Sequence, residues 1–325
     1  MTQDGARASS AAIWAALATV YVVWGSTYLA IRVVVQAGIP PLLGMGTRFL
    51  AAAVILLGFL AGRGGLRALK ITRPELAAAA VVGALLLLGG NGLVAVAEKT
   101  VPSGLAALIV GAVPLWFVLL RVGGGERPGG LTWLGVLVGF AGVAAISLPR
   151  GGIEGVQAWG ILVVLAATVC WAFGSYLSPR LRLPPGAMLA TAYEMLAGGA
   201  IMTAVGLAVG EPSDLNAAAV SAEGWVALAY LVLVGSILGY TAYIFALGNA
   251  PLSVVGTYAY VNPVVAVVLG ALILDEPVTA VVLGGGLLVV GGVALVLRGE
   301  RAPAAVAESD PHVAEPVRAG LTHSR

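Results

Sequence analysis

The sequence predicts an all-α integral membrane protein with ten transmembrane helices, arranged as two inverted five-helix repeats. Three observations lead to this fold class: an apolar composition, ten apolar stretches of helix length, and landmarks that recur after 149 residues. Of the 325 residues, 60% are hydrophobic and only 10% are charged. The mean hydropathy is +1.01. Soluble domains are roughly half apolar and about a quarter charged, so this composition excludes an ordinary soluble domain.

Each predicted span follows from length and hydropathy, because a helix needs about 20 mostly apolar residues to cross the roughly 30 Å hydrocarbon core. The third and fourth spans, and the eighth and ninth, are joined by tight hairpins at residues 98–101 and 248–251. In chain order, the predicted spans are residues 11–35, 42–61, 75–97, 102–121, 131–148, 157–177, 187–209, 224–247, 252–274 and 278–298.

The recurring landmarks divide the chain into two halves. A shift of 149 residues places Pro102 on Pro251 and Pro114 on Pro263, and it also aligns the Gly-Ser pairs at 25–26 and 174–175. Five spans per repeat reverse the direction in which the second repeat enters the membrane. Inverted repeats of this kind are typical of secondary transporters, whose substrate site lies between the halves near the bilayer midplane.

These patterns give a domain division. We expect a cytoplasmic N-terminus at 1–10, a first repeat over 11–148, a second repeat over 157–298, and a disordered cytoplasmic tail over 299–325, which is polar and proline-containing. With both termini in the cytoplasm, 13 Lys and Arg residues fall on the inner side and 3 on the outer side. An excess of basic residues inside is the usual rule, so the charge pattern favours this orientation.

Two charged residues lie well inside the predicted spans, away from the span ends, where charge is costly. Arg48 lies in the second span and Glu194 in the seventh, and these are equivalent helices of the two halves. One interpretation is that both line a polar cavity for a charged or zwitterionic solute, with Glu194 also carrying a coupling proton. The other interpretation for Arg48 is that its side chain reaches the outer headgroups.

Aromatic, polar and proline residues recur at helical spacing within several spans. They predict a cavity with apolar walls and a few hydrogen-bonding groups. The alternative is that they serve hydrogen bonding between helices, interfacial anchoring and static kinks. The complete candidate substrate-binding set is Trp24, Ser26, Tyr28, Arg48, Asn91, Pro114, Trp171, Ser175, Glu194, Tyr240, Tyr243, Tyr258, Asn262 and Pro263.

Other function classes find little support in the sequence. The single cysteine, Cys170, and the two histidines, His312 and His323, cannot form a Cys/His metal site. The sequence contains no GxxxxGK[ST] motif for ATP, and we predict no cofactor. A membrane-embedded enzyme acting on lipid-linked substrates remains the alternative, although it needs a convergent acidic or metal site. The acids of the predicted outer loops suggest no such motif; they are Glu98, Glu154, Glu211, Asp214, Glu223, Asp275 and Glu276.

Small residues predict close helix packing in the fifth span. Gly135 and Gly139 form a GxxxG motif there. Such spacing lets two helix backbones approach closely in a membrane, although a chain with 46 glycines produces such matches readily.

Several segments together resemble a known transporter family. They are WGSTYLAIR at 24–32, GGNG at 89–92, VPSGLAALIVGAVPLW at 101–116, WAFGSY at 171–176, YEMLAGG at 193–199 and YAYVNPVVAVVLG at 258–270. Over residues 13–298 the chain is similar to the EamA branch of the drug/metabolite transporter superfamily.

The resemblance has consequences for function. It implies a gradient-driven carrier of small organic metabolites, often amino acids or amphipathic compounds, in the bacterial inner membrane. Its partners would be a small-molecule substrate and the lipid bilayer, with proton coupling, no nucleic acid, and a monomeric or homodimeric state. The central cavity of the family is formed by both repeats, with the third, fourth, eighth and ninth spans prominent.

Overall fold

The computed structural model describes residues 9–147, 155–250 and 257–307, and these ranges are helical apart from short connections. This confirms the all-α prediction. The long helices are α1 (Ser10–Gln36), α2 (Pro41–Gly64), α3 (Arg73–Ala97), α4 (Ser103–Gly123), α5 (Gly130–Ser147), α6 (Ala158–Leu177), α7 (Ala187–Ala208), α8 (the consecutive segments Ala222–Tyr230, Leu231–Leu238 and Gly239–Asn249), α9 (Tyr258–Ile273) and α10 (Ala280–Ala307).

These bounds lie close to the predicted spans at most helix ends. The predicted start of the ninth span, residues 252–256, lies outside the described residues. The helix α10 continues to Ala307, beyond the predicted span end at residue 298. The rest of the predicted tail, residues 308–325, also lies outside the described residues.

The surface of the bundle suits lipid rather than water. Among the described residues, eight helices are long and apolar enough to cross a membrane, and α5 and α9 contain shorter apolar stretches. Large apolar side chains are exposed around the bundle, including Leu137, Leu162, Val226, Leu272 and Leu287. Soluble monomers rarely expose so much contiguous apolar surface, so the chain is an integral membrane protein.

Local capping residues fix where several helices begin. The Ser9 hydroxyl accepts a hydrogen bond from the Ala12 amide at 3.2 Å at the start of α1. Thr72 and Glu75 form a reciprocal capping box at the start of α3. A Ser or Thr side chain at this position satisfies a backbone amide that has no partner within the helix. The signal is readable from sequence because the capping residue and the helix are adjacent in the chain.

Two other helices are capped by carboxylates from distant loops. Glu211, in the connection after α7, accepts from the amides of Leu42 and Leu43 at 3.1 and 2.7 Å, at the first turn of α2. Glu276, in the connection after α9, accepts from the amides of Ser103 and Gly104 at 2.7 and 3.0 Å, at the first turn of α4. Carboxylates bind favourably at helix N-termini because the first amides have no partner within the helix and the positive end of the helix dipole lies there.

These contacts correct one part of the sequence interpretation. Glu98 and Glu211 are predicted to lie in outer loops that hold no convincing motif, yet in the structure they are 0% and 6% exposed. Their position in loops suggested solvated side chains, whereas packing between sequence-distant helices buries them.

Two large clusters make up most of the apolar core of the described residues, beside a small third one at Leu17 and Ala246. Each of the two large clusters takes side chains from both halves of the chain. One lies mainly among α4, α5, α6 and α10, and includes Leu105, Leu115, Val143 and Val289. The other lies among α1, α2, α3, α7 and α8, and includes Ile31, Phe49, Met195 and Leu231. The halves therefore interlock, with α2 packed on α7 and α5 packed on α10.

The α5–α10 contact is made at glycines, as the GxxxG motif predicts. A methyl group on Gly135 would lie 2.6 Å from the Gly292 carbonyl oxygen. A methyl group on Gly292 would lie 2.5 Å from the Gly139 Cα and 2.7 Å from the Gly135 carbonyl oxygen. Backbone atoms cannot move aside as a flexible side chain can, so these positions require glycine.

The neighbouring glycines of α10 allow a matched test of this contact. We expect Gly292→Ala to lower stability by about 1–3 kcal/mol, because the added methyl overpacks the α5 backbone. Gly291→Ala should be neutral or stabilising by up to about 1 kcal/mol, since alanine is the better helix former and no described atom lies within 4 Å of its methyl position. Thermal unfolding in detergent measures both, and equal midpoints for the two variants would contradict this packing.

Candidate functional site

A cavity of about 130 Å³ lies where the two apolar clusters meet. Its wall takes residues from α1, α2, α3, α4, α6, α8 and α9, and therefore from both halves of the chain. An engineered cavity of roughly 150 Å³ admits benzene. In this conformation the cavity accordingly suits a group about the size of a single ring.

Most of the predicted site residues line this cavity. They are Trp24, Tyr28, Arg48, Asn91, Pro114, Trp171, Tyr240, Tyr258, Asn262 and Pro263. They come from segments far apart in the sequence, so the fold brings them together as the sequence interpretation requires.

An aromatic group centred on Trp24 forms one side of the cavity. The Trp24 ring centroid lies 5.3 Å from that of Tyr240 and 5.4 Å from that of Tyr258, and both contacts are edge-to-face. Tyr243 packs on Trp24 at 4.9 Å, but it does not line the cavity. Edge-to-face packing of this kind is favourable and directional, so it holds the wall rings in fixed orientations.

Arg48 is the charged group of the wall. Its side chain is only 3% exposed, and its Nε donates to the Ser236 hydroxyl oxygen at 3.0 Å. The guanidinium carbon lies 4.6 Å from the centroid of the Phe49 ring. Space for this group depends on Gly235, since a methyl there would lie 3.2 Å from Nη2. The structure thus places Arg48 in the cavity wall rather than at the headgroup surface.

The charge of Arg48 has no ionic partner nearby. Among the described residues, no acidic side chain lies within ion-pair distance of its guanidinium. A buried charge without a partner is unfavourable in apolar surroundings. Planar guanidinium groups bind carboxylates with two parallel hydrogen bonds. The site can therefore recognise an anionic group, and a carboxylate fits its geometry best.

Helix α4 is broken where it meets the cavity. Its regular segments Ser103–Val110 and Val113–Gly123 are separated by a turn at residues 111–112. Pro114 has no amide hydrogen, so the Val110 carbonyl lacks its usual donor four residues later. Both residues line the cavity. The turn also lies close to the facing helix α9. A methyl on Gly111 would lie 3.1 Å from Cγ of Pro263, so glycine at this turn allows α4 to approach α9 closely.

Wider helical turns occur in both halves beside the cavity. In α3 the stretch Ala84–Gly92 is π-helical, and in α8 the stretch Leu231–Leu238 is π-helical. Subtracting 149 from 231 and 238 gives residues 82 and 89, so the two stretches overlap under the repeat offset. Such turns are rare and frequently occur at functional sites. The sequence analysis did not predict them, because no simple residue pattern marks them.

The two asparagines of the wall make hydrogen bonds to the backbone. In the orientation that its neighbours favour, the Asn262 amide nitrogen donates to the carbonyl oxygens of Tyr258 at 3.1 Å and Tyr21 at 3.2 Å, which joins α9 to α1. The Asn91 amide donates to the Leu86 carbonyl oxygen at 3.4 Å within α3. Both residues therefore stabilise the wall, and both line the cavity.

Four predicted residues lie outside the cavity wall: Ser26, Ser175, Glu194 and Tyr243. The Ser26 hydroxyl donates to the Val23 carbonyl oxygen at 2.8 Å and shares a hydrogen bond of 2.6 Å with the Tyr230 hydroxyl. Ser175 and Glu194 are half-buried. Glu194 remains within electrostatic range of Tyr240 in the wall.

Several further members of the wall, most of them apolar, were not predicted from the sequence. They include Thr27, Ile31, Phe49, Val94 and Phe117. Helical spacing was the available signal, since Thr27 and Ile31 follow Trp24 by three and seven positions. Phe49 follows Arg48 directly. Apolar residues are common throughout the spans, so spacing alone does not distinguish a cavity wall from lipid-facing surface.

Comparison with protein families gives a match over most of the chain. The model of the EamA-like transporter family matches twice, at residues 9–148 and 158–298. The chain is also similar to the solved crystal structure of a protein with 23% sequence identity and a TM-score of 0.63. That match covers 93% of this chain and 100% of the other, and it supports the fold alone.

Similar proteins bear transporter names. The chain is 40% identical over 289 residues to the uncharacterized inner membrane transporter YedA of Escherichia coli strain K12. That alignment covers 89% of this chain and 91% of the other protein. The chain is 31% identical over 295 residues to the probable terminal-alkyne amino-acid exporter of Streptantibioticus cattleyicolor. This alignment covers 89% of this chain and 94% of the exporter. The chain therefore belongs to the EamA-like transporter family and is a membrane transporter.

Proposed function

We propose that the protein is a secondary active exporter of small organic metabolites that carry a carboxylate, such as amino acids with an apolar side chain. Two inverted five-helix repeats would expose the cavity alternately to the two sides of the bacterial inner membrane. The proposed topology has ten spans, with both termini in the cytoplasm. Larger amphipathic compounds would require the cavity to widen.

The observation that carries this proposal is the unpaired guanidinium of Arg48 in an aromatic cavity. Arg48 is 3% exposed, and no acidic side chain among the described residues lies within ion-pair distance of its guanidinium. A substrate carboxylate would supply the missing negative charge. The rings of Trp24, Tyr240 and Tyr258 would contact the apolar part of the substrate, and a ring face attracts an ammonium group. The name of the Streptantibioticus cattleyicolor relative, a probable amino-acid exporter, supports this substrate class and this direction.

Three observations support the inverted-repeat arrangement. The proline and glycine landmarks recur after 149 residues. The π-helical stretches of α3 and α8 overlap under the same offset. The equivalent helices α2 and α7, and likewise α5 and α10, pack against each other, as expected for repeats related by a two-fold axis. Transport by rocking of such repeats needs a site at their junction, and the cavity lies between the two apolar clusters.

The role of Arg48 can be tested by counterflow in proteoliposomes, screened over L-amino acids and amphipathic metabolites. We expect wild-type protein to exchange at least one carboxylate-bearing compound. Arg48→Gln should lose more than tenfold of that activity, because truncating a buried charged hydrogen-bonding group costs about 2–5 kcal/mol. Arg63→Gln is the matched control, since Arg63 is exposed at the end of the same helix. Full activity of Arg48→Gln toward the same compound would overturn this role, and no exchange by wild type would overturn the proposed function.

A second prediction concerns Glu194. We expect Glu194→Gln to abolish or uncouple transport while the protein still inserts and folds, because the change removes an ionisable carboxyl that lies near Tyr240 of the wall. Counterflow and net efflux, measured on protein of normal thermal stability, would report this. Rates equal to those of wild type would exclude the carboxylate from the mechanism.

The orientation can be tested with single cysteines in a Cys170→Ser background. Leu66 is exposed in the connection between α2 and α3, which the topology assigns to the cytoplasm. Gln157 is exposed before α6, which the topology assigns to the outside. In intact cells, we expect an impermeant thiol reagent to label Gln157→Cys and not Leu66→Cys. The reverse pattern would contradict the proposed orientation.

A further inference from the structure

A cluster of polar side chains, including the buried Glu98 and Ser103, lies beyond one end of the cavity wall. Arg32 follows the wall residue Tyr28 by four positions, and Glu98 follows the wall residue Val94 by four. Residues four apart on a helix share a face, one turn above the other. Arg32 of α1 and Glu98 at the end of α3 therefore lie one turn beyond the wall, on the faces that line it. Ser103, at the start of α4, lies one turn before Ala107 of the wall.

The end cluster consists of Arg32, Glu98, Thr100, Ser103 and Glu276. Among the described residues, the Thr100 hydroxyl has no hydrogen-bond partner, whereas Arg32, Ser103 and Glu276 have partners other than the Glu98 carboxyl. Besides accepting from two amides of α4, the Glu276 carboxylate accepts from the Ser103 hydroxyl at 3.0 Å. Arg32 Nη1 donates to the backbone carbonyl oxygens of Glu98 and Val101. In the orientation that its neighbours favour, the Gln36 amide oxygen accepts from Arg32 Nε at 2.9 Å and Nη2 at 3.2 Å.

The Glu98 carboxyl is left without a hydrogen bond. The side chain is 0% exposed, and among the described residues neither carboxyl oxygen has a hydrogen-bond partner. An ionised carboxylate in such a position is very costly, and the usual response is uptake of a proton. Burial raises the pKa of the Glu98 carboxyl well above its usual range, the Arg32 charge lowers it, and the Glu276 charge raises it further.

We propose that Glu98 is a proton-binding site and that its protonation holds this end of the cavity closed. The proposal rests on the proposed function, because alternating access supplies the open state in which the carboxyl meets water. In the closed state the carboxyl is neutral, so its burial costs much less than burial of the ionised carboxylate would. After it releases its proton to water, the carboxylate must be hydrated, and hydration requires the end cluster to separate. Proton binding and closure therefore favour each other, as linkage requires.

The direction of the pH effect follows from the two states. The pKa of Glu98 is higher in the closed state, where it is buried, than in a hydrated open state. Low pH therefore favours closure, and this preference is lost as the pH rises through the closed-state pKa. The charged or titratable groups facing Glu98 are Arg32 and Tyr28 from α1 and Glu276 from the connection after α9. Lys99, the next residue, is exposed.

Infrared spectroscopy of the reconstituted protein tests the protonation directly. At neutral pH we expect the carbonyl-stretch band of a protonated carboxylic acid, reduced in Glu98→Gln and unchanged in Glu126→Gln. Glu126 is the matched control because it is half-exposed and paired with Arg121 at 2.6 Å. A wild-type spectrum without this band, or a band of undiminished intensity in Glu98→Gln, would overturn the proposal.

Thiol accessibility tests the link to closure. In a Cys170→Ser background, Val94→Cys reports on the wall beside Glu98, and Gln157→Cys is an exposed reference that corrects for thiol ionisation. We expect corrected labelling of Val94→Cys by an impermeant reagent to rise by up to about tenfold per pH unit, the limit for one proton. With Glu98→Gln added, labelling should no longer depend on pH.

Two results would overturn the link to closure: corrected labelling that does not change with pH, and equal pH dependence with and without Glu98. If Glu98→Gln fails to insert, Glu98→Asp replaces it: the shorter acid should shift the frequency of the band and the midpoint of the labelling profile, and an unchanged band and midpoint would overturn the proposal. Neither measurement needs a substrate, so a failed counterflow screen would count against the proposed function and not against the proton site.

Discussion

Polar groups inside an apolar bundle must find partners within the bundle, and this constraint determines how the two halves join. The first turns of α2 and α4 lack local side-chain caps, because each follows a proline. Their amides are satisfied by Glu211 and Glu276, which belong to the other half of the chain. These two helices carry Arg48 and Pro114 to the cavity. Carboxylates from the second half of the chain therefore position the part of the cavity wall that α2 and α4 contribute.

The same constraint applies to Arg48, and this residue sets the cavity apart from a packing defect. A cavity without function would be lined by apolar groups and would stay dry. This one holds a guanidinium that packs against Gly235 and donates to the Ser236 hydroxyl oxygen. A buried cation that lacks an acidic neighbour among the described residues destabilises the bundle unless water or a ligand compensates its charge. Binding of an anionic group, as proposed for the substrate, would supply that compensation.

The sequence predicted the helices well because a bilayer imposes a length and a hydropathy on each span. It also identified Trp24, Arg48 and Asn262, since polar and aromatic side chains stand out in apolar segments. The burial of Glu98 and Glu211 could not be predicted in this way. Both are adjacent to connections in the chain, and only packing of distant helices removes them from water. Ile31 and Val94 were missed for the opposite reason, because an apolar wall residue looks like any other residue of a span.

The break in α4 connects the substrate wall to the end cluster. Its first segment begins at Ser103, which is bound to Glu276 beside Glu98. Its second segment contains Trp116, whose ring nitrogen donates to the Thr168 hydroxyl oxygen of α6 at 2.9 Å. The turn at residues 111–112 separates these two anchors and itself lines the cavity. A bend at this turn would move the Ser103 end while leaving the Trp116 contact intact. Opening at the Glu98 end would also separate apolar side chains of the first segment, among them Leu105 and Ile109, from the core. Deprotonation of Glu98 would therefore open this end only if the cost of burying an ionised carboxylate exceeds that loss.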